Sequence, residues 1–193
     1  MANTIPLFPL TILPLPGELV PLHIFEPRYR ELLTDAETDD IKFGIYFNHA
    51  INIERIGSLM KLESVIRKHE TGESDIIVKC YDAFTMDKMF RSYRSKQYPA
   101  GDVNLWRTNQ HEPIGAKLED FFKEYLLKRN IVRPESSFNS FAVAIELNLD
   151  LNDRYDFLIT DAKSREAFLL QRIRYQLHLF NQEERSRDVF HLN

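Results

Sequence analysis

The spacing of hydrophobic residues changes near residue 110 of this 193-residue chain. Before that point, apolar residues occur in short runs and alternating stretches bounded by turn residues, a pattern that predicts β-strands. From Lys117 onward they recur at i, i+3, i+4 and i+7, which predicts helices with one buried stripe. The pattern therefore predicts an α+β chain, with a β-rich subdomain at 1–110 and a helical subdomain at 111–193.

The β-rich subdomain is expected to hold five to seven strands and one early helix. Proline suits the first position of a helix, so Glu26 and Pro27 are expected to begin that helix. Residues 70–74, ETGES, are expected to form a hairpin turn. Long-range closure of this many strands favours a partly open β-barrel. Beyond the first extended segment, strands are expected at 19–25, 41–47, 55–69, 75–91 and 98–107.

The apolar segment that opens the chain carries prolines at positions 6, 9, 14, 16 and 21. A proline fixes its own φ and donates no backbone hydrogen bond, so these residues cannot all lie inside a regular ladder. The segment is therefore expected to lie at the edges and bends of a sheet. Pro16 and Gly17 are expected to turn it back on itself.

The helical subdomain is expected to be a bundle of about four helices. Pro134 is expected to break the chain between the first two, with nearby serines as caps. Ser164 is expected to cap the last helix, and the tail at 185–193 is expected to fray. The four helical stretches begin near residues 117, 138, 152 and 164.

Composition and charge favour a soluble cytoplasmic protein. The net charge is −4, which provides no general attraction to nucleic acid or to an acidic membrane. Cys80 is the single cysteine, so an internal disulfide is excluded and a reducing compartment fits. The sequence shows neither a signal-peptide pattern nor the run of about 18 apolar residues that a membrane span needs.

Motifs of the common enzyme classes do not occur, so neither catalysis nor a cofactor is expected. The sequence contains no G-x-x-x-x-G-K-[ST], no G-x-S-x-G and no H-E-x-x-H. Its six histidines show no metal-ligand spacing, and i, i+3 residues such as His23 and Glu26 do not share a strand face. Cys80 lies in mid-strand, where a packed, inert thiol is expected.

The stretch PLFPLTILPLPGELVPLHIFEPRYRELL, residues 6–33, resembles the opening signature of the Lon amino-terminal (substrate-binding) domain family. This resemblance implies a PUA-like barrel subdomain followed by a helical bundle. It also implies a stand-alone, non-catalytic module without the ATPase and peptidase domains of full-length Lon. Residues that match the motif, and that are expected to serve the fold, are Pro9, Pro16, Pro21, Phe25, Glu26, Arg28 and Tyr29.

The resemblance implies that the chain binds unfolded or client polypeptides, and that a separate protease or ATPase would be a partner. Apolar side chains that proline keeps out of a ladder would line a groove for an extended segment, with Phe8, Leu10, Leu13 and Leu15 as candidates. Burial of the same side chains in the core is the other interpretation. The cluster of Glu26, Arg28 and Arg30 likewise reads either as a ligand clamp or as a charged helix start, with Arg28 pairing across to the barrel.

RNA binding is the alternative hypothesis, because residues 88–107 interleave basic and aromatic side chains. A solvated strand whose aromatic residues face the core would give the same pattern. The candidate RNA-binding residues are Lys88, Arg91, Tyr93, Arg94, Trp106 and Arg107.

Overall fold

Residues 3–133 and 138–190 are described by the computed structural model of the protein. Within them, the chain divides into two compact units, Met1–Asn109 and Gln110–Asn193. The first unit contains β1 (Asn3–Leu10), β2 (Leu19–Ile24), α1 (Pro27–Asp39), β3 (Phe43–Phe47), β4 (Ile56–Lys68), β5 (Ser74–Phe90) and β6 (Ala100–Leu105). The second contains α2 (Ala116–Lys128), α3 (Ser140–Glu146), α4 (Leu151–Ile159) and α5 (Ala162–Phe190).

The six strands form one sheet in the order β2-β5-β4-β3-β1-β6, and β5 also pairs with β6. Only the β1–β3 pairing is parallel. The 17-residue β5 reaches three partners because register shifts along β4 and β6 bend it. The sheet is partly ring-like without being a barrel. The predicted α+β fold class is confirmed, and the expected barrel is a partly closed sheet.

The strand β1 changes partners in its middle, which accommodates its two prolines. Residues 3–6 pair with β6, whereas residues 7–10 pair with β3. Each half of the strand therefore forms a ladder on one side, apart from the Leu7 amide, which donates to the Pro99 carbonyl, so Pro6 and Pro9 can lie where no ladder amide is needed. Gly17 completes the predicted turn with a φ of 93°, which a glycine adopts without strain.

The core of the first unit lies between the sheet and α1. Tyr29, Leu32, Leu33 and Ala36 form the buried stripe of the helix. The Tyr29 ring lies 4.0 Å from that of Phe8. A second cluster surrounds Phe84, whose ring packs directly over Gly57.

Side-chain caps define the starts of α3, α4 and α5, whereas α2 begins after Gly115 without one. The Asn139 side chain accepts from the amide of Ala142 at the start of α3, and Asp150 accepts from Asp153 at the start of α4. Asp161, rather than the predicted Ser164, accepts from the first amides of α5. That helix continues to Phe190, into the tail at 185–193 that was expected to fray.

Some predictions for the second unit fall outside the described residues. These are the break at Pro134, the serine caps beside it and the last three residues of the tail. Among the helices that the structure describes, none is long and apolar enough to cross a membrane.

Candidate functional site

An open backbone edge runs along β2, which pairs with β5 alone among the described strands. The Glu18 carbonyl accepts a hydrogen bond from the Cys80 amide at 2.9 Å. This bond shows which residues of β2 turn their backbone groups toward β5. Even-numbered residues of β2 therefore direct their backbone groups toward β5, and odd-numbered residues direct theirs outward. Pro21 is at an outward position, so its missing N–H costs no ladder bond.

The side chains of β2 alternate between an apolar inner face and an exposed outer face. Val20 and Leu22 pack against the core, and Ile24 is buried. On the outer side, Leu19 is 57% exposed and Phe25, just after the strand, is 56% exposed. Exposed apolar residues beside an open strand edge would promote aggregation unless they serve binding. This outer side of β2 and its open edge, from Leu19 to Phe25, is hereafter the β2 edge.

A cluster of two imidazoles and two carboxylates lies at one end of the β2 edge. The two oxygens of Asp75 bond separate rings: Oδ1 is 2.7 Å from His23 Nδ1, and Oδ2 is 2.7 Å from His69 Nε2. The other ring nitrogen of His23, Nε2, is 3.4 Å from the Glu73 carboxylate. These four residues, His23, His69, Glu73 and Asp75, are hereafter the histidine cluster.

Hydrogen bonds within the histidine cluster shift the pKa values of His23 and Asp75. The bond to Asp75 raises the pKa of His23, and Glu73 adds to the effect. The bonds from His23 and His69 lower the pKa of Asp75. Hydrogen bonds therefore join the imidazole rings of His23 and His69 to the single carboxylate of Asp75.

The β4–β5 hairpin brings His69 and Glu73 to the end of β2. The His69 amide donates to the Glu73 carbonyl, and Gly72, with a φ of 86°, donates to the His69 carbonyl. Arg30 fixes the hairpin from α1, since its guanidinium donates to the carbonyls of Thr71 and Phe25. Arg30, which the sequence offered as part of a ligand clamp, therefore binds the protein's own backbone.

The residues predicted to bind polypeptide lie mostly inside the first unit. Leu13 and Leu15 are 1% and 0% exposed, and Phe8 is 7% exposed. Leu10 is partly buried against the core. Their role in binding stays a prediction, because it would require the core to open.

The charged residues of the Lon-like motif make local contacts. Glu26 is the N-cap residue of α1 without a side-chain capping bond, and it pairs with Arg28 at 2.8 Å. The predicted pairing of Arg28 across to the sheet is therefore wrong, because the nearer carboxylate takes it. The Arg28 guanidinium also lies 4.6 Å from the centre of the Tyr29 ring.

Aromatic residues of the predicted RNA-binding segment serve internal contacts. Tyr93 stacks on Tyr98 at 6.0 Å, and the Trp106 indole donates to Thr85. The basic residues of the segment are exposed, namely Lys88, Arg91, Arg94 and Arg107. Lys88 lies over the ring of Phe90, and Arg94 lies over the ring of Tyr93. Rings that are packed or already covered offer little surface for stacking on bases. No observation favours this alternative.

The histidine cluster was missed by sequence reasoning, which predicted no metal-ligand spacing among the histidines. Its members come from β2 and from a hairpin far along the chain, so neighbouring positions carry no signal of it. The register of β2 on β5, which pairs His23 with Asp75, is the information that was needed. Cys80, by contrast, is buried as expected, and burial raises the pKa of its thiol.

Comparison with known proteins identifies the family. The chain matches the family model described as the ATP-dependent protease La (LON) substrate-binding domain over residues 4–183. It therefore belongs to the Lon substrate-binding domain family, and the resemblance seen at residues 6–33 is confirmed. A search of curated proteins gives no match.

Two solved structures share the fold. A Lon N-terminal domain protein from Xanthomonas campestris is 19% identical, with a TM-score of 0.68, over 88% of this chain and 97% of that one. The N-terminal domain of the Mycobacterium avium complex Lon protease is 13% identical, with a TM-score of 0.50, over 93% of this chain and 98% of that one. At these identities the likeness concerns the fold alone.

Proposed function

We propose that this domain binds extended segments of client polypeptides along the β2 edge and catalyses no reaction itself. Membership of a substrate-binding domain family supports a binding role. The observation that carries the choice of surface is the open edge of β2 beside the exposed side chains of Leu19 and Phe25.

Main-chain hydrogen bonding explains why an extended polypeptide fits this surface. The open edge offers three outward carbonyls, those of Leu19, Pro21 and His23. It also offers two outward amides, those of Leu19 and His23. A strand laid alongside would satisfy them with little dependence on its sequence. Leu19 and Phe25 would then contact apolar side chains of the client. Unfolded segments provide both features, because their backbone and apolar residues are exposed.

A non-catalytic role is consistent with the chemistry of the described residues. The Cys80 thiol is 0% exposed and its pKa is raised, so it does not provide a nucleophile. In this proposal the domain retains the client, and a separate protease or ATPase acts on it.

Binding of a permanently unfolded, fluorescently labelled polypeptide, measured by anisotropy, tests the proposal. Leu19→Asp and Phe25→Asp should each weaken binding by about tenfold, since a charge replaces buried apolar contact. Ile53→Asp is the matched control, because Ile53 is 82% exposed but lies in the β3–β4 loop, away from β2 in sequence. Wild-type protein that binds the unfolded chain no better than a folded one, or equal losses in all three variants, would overturn the assignment.

A further inference from the structure

We propose that His23, His69 and Asp75 bind a divalent transition-metal ion of the zinc class beside the β2 edge. One ligand atom from each residue lies within 4.8 Å of the other two. Two imidazoles and one carboxylate are a donor set that suits zinc-class ions, whereas calcium and magnesium prefer oxygen alone. Metal binding here does not depend on the polypeptide-binding role proposed above, although His23 belongs to the β2 edge.

The hydrogen bonds of the cluster run between the groups proposed as metal ligands. Both rings point a nitrogen at the same carboxylate, at 2.7 Å each. A metal ligand must be deprotonated, so an ion entering here would take the place of the shared ring protons. Tetrahedral zinc needs donor atoms about 3.3 Å apart, given zinc–ligand bonds of about 2.0–2.1 Å. Side-chain adjustments of about 1 Å or less per group would produce that spacing from a cluster spanning 4.8 Å.

Neighbouring groups orient the proposed ligands. With His23 binding through Nδ1, its Nε2–H faces the Glu73 carboxylate at 3.4 Å. A carboxylate behind a metal-bound imidazole fixes the ring and increases its basicity. His69 is placed by the hairpin that Arg30 fixes through the Thr71 carbonyl. The ligands thus come from two backbone segments that are already held together.

The site is open to solvent, which permits exchange of the ion. The His23 side chain is 48% exposed, that of Asp75 38% and that of His69 28%. Three protein ligands leave at least one coordination position for water or for a donor atom of a bound chain. A metal here would therefore lie within reach of a polypeptide on the β2 edge without being enclosed.

Competition with a chromophoric chelator, using untagged protein and Zn²⁺ alone, tests the site. One equivalent of zinc should bind per chain. The variants His69→Gln and Asp75→Asn should each weaken that affinity by about tenfold or more, and Glu73→Gln should weaken it by about tenfold through the orientation of His23. Co²⁺ bound to the wild type should show the intense visible absorption bands of a tetrahedral site. These bands should be absent with His69→Gln.

The control is His178→Gln, which removes an exposed histidine from α5 and should change neither result. Circular dichroism of each variant establishes that it is folded. Three results would overturn the proposal: no stoichiometric zinc binding, an equal loss of zinc affinity in the control, or unchanged zinc affinity in folded His69→Gln and Asp75→Asn. Any of them would leave a proton-sharing ion-pair cluster only. Because no polypeptide is present, this result is distinct from that of the client-binding test.

Discussion

Asp35 of α1 accepts a 2.6 Å hydrogen bond from the hydroxyl of Tyr98, a residue 63 positions further along the chain. The same carboxylate accepts from the Lys96 ammonium at 2.8 Å. The tyrosine ring is 1% exposed and stacks on Tyr93. These contacts attach α1 to the segment that leads into β6.

Asp35→Asn should destabilise the first unit at neutral pH and reduce its sensitivity to acid. Burial alone would raise the pKa of Asp35, but hydrogen bonds from Lys96 and Tyr98 outweigh it and hold the pKa below its ordinary value of 3.8. A carboxylate of this kind stabilises the fold above its unfolded pKa, and the contribution is lost as the pH falls through the lower folded pKa.

Urea unfolding of wild type and Asp35→Asn at pH 7, 4 and 3 measures this effect. The difference in unfolding free energy should be largest at pH 7 and shrink below about pH 4. Asp39→Asn, at an exposed position of the same helix, should leave stability nearly unchanged. A difference between wild type and Asp35→Asn that grows in acid would contradict the assignment.

Tyr98→Phe should cost about 1–3 kcal/mol of unfolding free energy, because it removes a donor from a partly buried carboxylate while keeping the ring. The double variant with Asp35→Asn should cost less than the two single changes added together, since both remove the same bond. Denaturant titrations of the four proteins provide the cycle. Strict additivity would show that the two side chains do not interact.

Gly57→Ala should destabilise the sheet by about 1–3 kcal/mol through overpacking. A Cβ at this position would lie 2.4 Å from the Phe84 ring and 2.6 Å from the Ile45 carbonyl oxygen. Neither the packed ring nor the strand backbone can move away easily. Thermal unfolding checks the effect, and Phe84→Leu in the same background should recover part of the loss if the ring is the obstacle.

Cys80 should react with iodoacetamide only when the first unit unfolds. The thiol is buried, and burial raises its pKa, so the reactive thiolate is scarce in the native state. The labelled fraction should follow the unfolding transition across a urea series. Rapid labelling in native buffer would reveal a local opening of β5 instead.

Arg165→Ala should lower the stability of the second unit by about 1.5–3 kcal/mol. The Arg165 guanidinium donates to the carbonyls of Phe157, Leu158 and Thr160, which terminate α4. Removing it leaves these acceptors without the charged donor that satisfies them. Arg174→Ala is the control, since the exposed Arg174 lies over the Phe121 ring, and chemical denaturation should show a smaller loss there.

Local sequence pattern predicted the elements of the first unit well. The expected strands at 19–25 and 55–69 correspond to β2 and β4 within one residue at each end. Alternation, turn residues and proline act over a few positions, so a single sequence carries that information. The parallel pairing of β1 with β3 and the closure of β1 on β6 depend on distant residues, and no short pattern encodes them.

The candidate site was less predictable for the same reason. For Leu13 and Leu15 the sequence left both a groove and the core open, because a buried and an exposed leucine read alike in a sequence. The histidine cluster depends on the register of two strands and on a hairpin turn. Helix caps show the same limit, because Asp161 and Ser164 are both capping residue types and only the path of the chain selects between them.

The last strand of the first unit to be synthesised is β6, and this affects how the unit folds on the ribosome. Thr4 in β1 hydrogen bonds to Asp102 in β6, 98 residues away, and residues 3–6 of β1 have no other strand partner in the described fold. During synthesis from the amino terminus, this half of β1 must wait until nearly the whole unit has emerged. Until then residues 3–6 lack their strand partner, and an unpaired strand segment in a nascent chain is open to aggregation.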